Sequence, residues 1–153
     1  MSVANVLKFI KEKDAEFVDL RFTDPRGKLQ HLTMDASIVD EEMLNDGVFF
    51  DGSSIAGWKA INESDMILKP DLGRQVIDPF TSHGTLILFC DVLDAVKKDP
   101  YERDPRSIAK KAEAYLKKTG IGDKAYFGPE AEFFVFDDVR YSNDMHHTGF
   151  KID

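Results

Sequence analysis

Apolar positions in the first residues recur at helical spacing, at Val3, Val6, Leu7 and Ile10, with Ser2 placed to cap them. This predicts a short amphipathic helix that ends in the charged run Lys11-Glu12-Lys13-Asp14. The period then drops to two. Across residues 17–23, Val18, Leu20 and Phe22 fall on one face and Asp19 and Arg21 on the other, the pattern of a half-buried strand. Asp24-Pro25-Arg26-Gly27 carries the residues of a type I turn, so 28–34 returns as the second strand of a hairpin. Residues 40–47 read as one or two helical turns, acidic at the start and closed by Gly47. Short strands are predicted over 65–69 and 75–77, with Pro70 and Pro79 marking their ends. The longer apolar run over 85–92 has the character of a strand in the middle of a sheet. The chain up to about residue 96 is therefore α+β.

The polar, proline-bearing stretch 97–103 separates this region from the rest of the chain and is the candidate domain boundary. Asp104 and Pro105 open a helix as N-cap and first helical residue. Ile108, Ala112, Tyr115 and Leu116 keep the 3.6 period, and Gly120 and Gly122 close it. An apolar segment over 125–136 is then predicted as a strand.

Two stretches carry candidate chemistry. In the first, the apolar run Val48-Phe49-Phe50 stops at Asp51, Gly52 permits a sharp turn, and the hydroxyls of Ser53 and Ser54 come next. Glu63-Ser64-Asp65 lies shortly beyond. One carboxylate at the tip of an ordered loop, beside small hydrogen-bonding groups, is either an Asx turn or a binding device on a rigid scaffold. In the second, a strand over 130–136 puts Glu130, Glu132, Phe134 and Phe136 on one face, with Ala131, Phe133 and Val135 on the other. Two carboxylates so placed have Cα atoms about 6–7 Å apart. At an effective dielectric of 20 they repel by about 2–3 kcal/mol before any desolvation. Such a pair is either solvated at the strand mouth or, if buried, must protonate, find Arg or Lys partners, or hold a cation. Hard oxygen donors of this kind suit Mg²⁺ or Mn²⁺.

Composition narrows the picture by exclusion. A net charge of −8 argues against a nucleic-acid or anionic-membrane surface, both of which need clustered Lys and Arg. The single cysteine, Cys90, lies within an apolar run and reads as a core residue, which leaves no disulfide framework and fits a reducing cytoplasm. No apolar run reaches 18 residues, and Met1-Ser2-Val3-Ala4-Asn5 lacks a basic start, so neither a membrane span nor a signal peptide is expected. His146 and His147 are adjacent and point apart on any regular element, which makes them a poor ligand pair. His31 and His83 have no visible partner in the sequence. Trp58 and Lys59 either line a pocket or belong to a surface loop.

Taken together, the two stretches resemble glutamine synthetase, specifically its bacterial class. Phe50-Asp51-Gly52-Ser53-Ser54, a spacer of eight residues, Glu63-Ser64-Asp65 and Leu68 match the family's N-terminal pattern. Phe127-Gly128-Pro129-Glu130-Ala131-Glu132-Phe133-Phe134 resembles the opening strand of its catalytic domain. The runs 17–24 and 104–109 are also family-like. The resemblance implies a β-grasp domain over residues 1–100 and the first helix and strand of a larger α+β catalytic domain over 101–153.

It also implies the reaction: ATP phosphorylates the γ-carboxylate of glutamate, and ammonia displaces the phosphate. By position, Asp51 resembles the carboxylate that binds ammonium and helps remove its proton, and Ser54 is expected as a second ammonium-binding residue. Glu130 and Glu132 resemble ligands of two divalent cations, Mg²⁺ or Mn²⁺. The family's Asp51-type loop reaches into a neighbouring subunit, which implies a homo-oligomer, a dodecamer of two hexameric rings in the bacterial class. The family continues well past the length of this chain, so the expectation is an N-terminal fragment without synthetase activity of its own. Two other readings are a γ-glutamyl ligase for an organic amine and a non-catalytic β-grasp module that pairs with partners.

Overall fold

The computed structural model describes residues 2–152. Helix α1 (Val3–Glu12) begins where the Ser2 hydroxyl accepts from the Asn5 N–H, and it turns Val6 and Ile10 into the core. Strands β1 (Phe17–Thr23) and β2 (Leu29–Asp35) form the expected antiparallel hairpin. Its turn is fixed by Asp24, whose Oδ1 accepts from the N–H groups of Arg26 and Lys28. Helix α2 (Glu41–Asp46) is capped by Asp40 and closed by Gly47. Next come β3 (Val48–Asp51), β4 (Asp65–Pro70), the two-residue β5 (Val76–Ile77) and the ten-residue β6 (Thr85–Asp94).

These six strands form one mixed sheet in the order β2-β1-β6-β4-β3, with β5 on β6. The long strand β6 is the centre, as its apolar run predicts. It runs parallel to β1 on one side. On its other side it pairs antiparallel with β5 through Leu86 and Ile87, then with β4 from Cys90 to Asp94. Val18, Leu20 and Phe22 of β1 meet Met66 and Leu68 of β4 and Leu86, Leu88 and Cys90 of β6 in a single core, closed by Val6, Ile10 and Leu44 from the helices. Burying each of these larger side chains contributes about 1.5–3 kcal/mol.

Gly47 shows how tightly α2 is set against the sheet. Its φ is +87°, and an added Cβ would lie 2.5 Å from the Leu68 carbonyl oxygen. Both the backbone conformation and the space exclude a side chain. Gly47→Ala is expected to destabilise the chain by about 2 kcal/mol or more, read as a lower urea midpoint. An unchanged midpoint would show that α2 docks less closely than this.

Beyond β6 the polar stretch is anchored rather than loose. The Tyr101 N–H donates to Val92 O at 2.9 Å, and Tyr101 and Asp104 are buried. Helix α3 (Pro105–Thr119) starts on Asp104, which accepts from the N–H groups of Arg106 and Ser107, and ends at Gly120 in the left-handed region. Arg106 then ties α3 to the sheet by pairing with Asp91 of β6 and with Asp71.

One expectation fails after α3. Residues 125–136 form no strand, and Phe133, Phe134 and Val135 are 82%, 87% and 84% exposed. The pattern there is apolar on both faces and needs a neighbouring strand and covering layers. Among the described residues nothing pairs with it. Conversely, a hairpin that the sequence did not suggest, β7 (Val139–Asn143) with β8 (Thr148–Ile152), forms around His146 and His147. Its turn is an Asx turn, in which Asp144 Oδ1 accepts from the N–H groups of His146 and His147.

Candidate functional site

Strand β3 ends at Asp51, opposite Asp65 of β4 in the antiparallel register. The chain must turn at once, because Gly52 is buried under Met66. A Cβ on Gly52 would collide with Met66 Sδ and lie 2.9 Å from Ser64 O, so only glycine lets the turn lie this close to β4. The Gly52 N–H donates to Ser64 O at 2.7 Å, which ties the Asp-Gly-Ser-Ser stretch to Glu63-Ser64-Asp65 directly.

The carboxylate itself is exposed and held from within its own loop. Asp51 Oδ1 accepts from the Ser53 N–H at 2.8 Å and from the Ser53 hydroxyl at 2.6 Å, while the Ser54 hydroxyl reaches Oδ2 only at 3.5 Å. Ser53 is therefore the main partner of the Asp51 carboxylate. Its hydroxyl and N–H hold Asp51 below the usual carboxylate range. Asp51 is thus a fixed negative charge through neutral pH, with one oxygen committed to Ser53 and the other facing outward.

The loop after Asp51 is packed by its aromatic residue. Trp58 is buried, not pocket-lining, and lies 5.6 Å from Phe22, 6.2 Å from Phe50 and 5.5 Å from Tyr101 between ring centroids. Lys59 pairs with Asp94 at 3.2 Å over the Tyr101 ring. It also lines a cleft with Phe49, Glu63, Ser64 and Asp65.

Glu130 and Glu132 are not brought to Asp51. They lie in the irregular segment, exposed, and among the described residues no group of three or more His, Cys, Asp and Glu could hold a metal ion. Their oxygens have the right chemistry for a hard divalent cation. Mg²⁺ is commonly held by one or two carboxylates, with waters and substrate phosphates completing its octahedron, but both glutamates are exposed and have no cluster of further donors around them among the described residues. Among the described residues no metal centre is formed.

The histidines have partners that sequence could not show. His31 Nδ1 bonds Asp19 at 2.8 Å, and His83 Nδ1 lies 3.3 Å from Glu16 with its ring edge-on to Phe17. Asp19 is the centre of a network. It is 3% exposed and accepts from Arg21 at 2.7 Å and from Thr33 at 2.7 Å, and Arg21 bridges on to Asp78. The face of β1 expected to be open is thus partly closed by ion pairing. Burial pushes the Asp19 carboxyl up, but the hydrogen bonds from Arg21, Thr33 and His31 outweigh it and hold it below the usual range. Cys90 is fully buried, and burial pushes its thiol up so far that it stays protonated.

Comparison with known proteins gives two matches along the chain. Residues 14–95 match the family model for the β-grasp domain of glutamine synthetase, and 102–153 match the model for its catalytic domain. The chain belongs to the glutamine synthetase family. Residues 14–95, which include the Asp51 loop, match the family's β-grasp domain. The glutamine synthetase of Rhizobium meliloti is 65% identical over 154 residues, covering all of this chain and 33% of that protein. The Methylococcus capsulatus enzyme is 58% identical over 153 residues, with the same coverage. The solved Plasmodium falciparum glutamine synthetase superimposes with a TM-score of 0.74 at 27% identity, over 99% of this chain and 30% of that one. The chain thus spans about a third of the length of the relatives it matches. No helix among the described residues is long and apolar enough to cross a membrane.

Proposed function

We propose that this chain is the ammonium-handling part of a cytoplasmic glutamine synthetase, a ligase that uses ATP to join ammonia to glutamate through a γ-glutamyl phosphate. The observation that carries the reading is the Asp51 carboxylate, kept ionised and oriented by Ser53 at the exposed end of β3. A fixed, exposed anion attracts a cationic substrate and holds it in a defined position. Because its pKa is lowered, Asp51 is a weak base in water. Its first role is therefore to hold ammonium in place; one N–H proton must leave before the nitrogen lone pair can attack the γ-glutamyl carbonyl and expel phosphate, and Asp51 is the group placed to accept that proton. Ser54 sits within reach of the free Asp51 oxygen and supplies a second hydrogen-bonding group for the ammonium.

Glu130 and Glu132 are assigned as two of the carboxylate ligands for Mg²⁺ or Mn²⁺, with the remaining donors from outside this chain. A metal bound there would neutralise charge on the transferring phosphoryl group. Asp51 is exposed and its hydrogen bonds to Ser53 and Ser54 lie within its own loop, which leaves its outer face open to a neighbouring subunit of a homo-oligomer. The family's dodecamer of two hexameric rings is the assembly proposed.

A chimera tests this directly. This chain replaces the matching third of the Rhizobium meliloti glutamine synthetase, and product formation is measured with glutamate, ATP and either ammonium or methylamine. The expected result is glutamine and phosphate in equal amounts with ammonium, a much slower reaction with methylamine, and none from the 153-residue chain alone. A folded, oligomeric chimera that makes no glutamine, or that favours the organic amine, would overturn the reading.

A further inference from the structure

The loop between Asp51 and β4 is held at its far end by residues that lie more than forty positions later in the chain. The Tyr101 hydroxyl donates to Trp58 O at 3.0 Å. The Arg103 Nη1 donates to Gly57 O at 2.9 Å and more weakly to Trp58 O at 3.4 Å. Gly57 has a φ of +86°, a conformation that glycine adopts without strain and that other residues rarely do. Two consecutive loop carbonyls are thus fastened from the segment that leads into α3.

That segment is itself fixed. The Tyr101 N–H donates to Val92 O of β6, and the Asp104 N–H donates to Tyr101 O, while Asp104 caps α3. From the clamp back to Asp51 the path is short. The Trp58 N–H donates to Ile55 O, and the Ile55 N–H donates to Gly52 O, each at 3.2 Å. The Trp58 ring packs on Phe50, the residue before Asp51. Besides this clamp, the loop from Ile55 to Ala60 is held by the burial of Ile55 and Trp58 and by the Lys59–Asp94 pair. Tyr101 and Arg103 are what fasten the carbonyls of Gly57 and Trp58.

We propose that Tyr101 and Arg103 are positioning residues that set how Asp51 is presented to ammonium. The inference rests on the assignment of Asp51 as the ammonium-binding carboxylate. Neither residue touches substrate. Tyr101 and Arg103 fix the carbonyls of Gly57 and Trp58, Trp58 fixes Phe50 and the Gly52 turn, and these fix the carboxylate. A consequence is that movement of α3, which belongs to the part of the chain matched to the catalytic domain, alters ammonium affinity through the clamp.

The test uses the active chimera with Arg103→Met, which removes an exposed guanidinium and leaves the core intact, and Tyr101→Phe, which removes only the hydroxyl. For the double variant the KM for ammonium is expected to rise about tenfold, since small displacements of a positioned group have large effects. The KM values for ATP and glutamate are expected to stay within about twofold, and kcat at saturating ammonium to fall by less than about threefold. Arg103→Lys, which retains a cation that can reach one carbonyl, is expected to recover part of the ammonium KM. An ammonium KM within about twofold of the parent chimera in the double variant, or an equal rise in all three KM values, overturns the proposal. Asp51→Asn is measured alongside. If it collapses ammonium use while the double variant does not, the positioning role alone fails. If Asp51→Asn leaves the ammonium parameters unchanged, the assignment of Asp51 fails and the clamp's proposed purpose falls with it.

Discussion

Asp51→Asn in the chimera is expected to lower kcat/KM for ammonium by about a hundredfold or more, the range seen when a positioned acid–base group is lost. That factor corresponds to about 2.7 kcal/mol of lost transition-state stabilisation. The substitution isolates charge from geometry. Asparagine presents a carbonyl oxygen where Oδ1 stood, so the two bonds from Ser53 can persist and the Gly52 turn under Met66 is untouched. What disappears is the anion. The KM values for ATP and glutamate should move by less than about threefold, because uniform loss would indicate a damaged site rather than a missing ammonium partner. A change of less than about threefold in kcat/KM for ammonium would remove Asp51 from the mechanism.

The same variant gives two further readouts. The Ser53 bonds hold the Asp51 pKa below the usual range, so its charge is complete at neutral pH and is lost only as pH falls through that lowered value. An acid limb in the ammonium profile near neutrality therefore belongs to another group. Mixing decides the second point. If the Asp51 loop serves a neighbour, Asp51→Asn subunits assembled with Glu132→Gln subunits regain activity, because some sites then combine two intact residues. Separately inactive variants that stay inactive in mixed oligomers would place both residues in the same site.

Much of this was legible because the signals were local. The Asp51 loop could be read from Phe50, Gly52 and the two serines, whose conformational and hydrogen-bonding preferences act within four residues. The choice of Ser53 over Ser54 could not, since both hydroxyls come after the same glycine and only the turn decides which reaches Oδ1. Strand β6 was legible from its apolar length and is central for that reason. The carboxylates at 130 and 132 lie in a segment with strong strand character and no partner strand among the described residues. There sequence reports a preference that only neighbours can satisfy. The reverse holds for β7 and β8, whose polar, short strands look like loop until their pairing is seen. The Asp19 network escaped for a different reason. Alternation correctly separated Asp19 and Arg21 from Val18 and Leu20, but the partner Asp78 lies 57 residues from Arg21 and arrives beside it only through the β5–β6 pairing.

That network yields the largest expected effect on stability. Arg21→Met leaves the Asp19 carboxylate buried without its cation, and removing one member of a buried ion pair costs about 3–5 kcal/mol. Thr33 and His31 still donate to Asp19, which places the expected loss at the lower end, about 3 kcal/mol at pH 7. The pH dependence separates this cause from lost packing. In the parent chain Asp19 titrates below its unfolded value, so its contribution is present above the ordinary carboxylate range and disappears as pH falls through the lowered pKa. Without Arg21 the balance shifts towards burial, which pushes the carboxyl up, and Asp78 nearby adds repulsion. Protonation then favours the folded variant, and the gap between parent and variant narrows on acidification. Urea unfolding of the chain, monitored by the fluorescence of Trp58, its single tryptophan, measures both. The gap at pH 7 should shrink by about 1 kcal/mol or more by pH 4.5. Asp19→Asn introduced into the Arg21→Met chain should recover part of the loss at pH 7, because it removes the stranded charge while keeping hydrogen-bond capacity towards Thr33. A gap that is the same at both pH values, with no recovery from Asp19→Asn, would mean that Arg21 stabilises this face through its aliphatic stem and that the ion pairs contribute little.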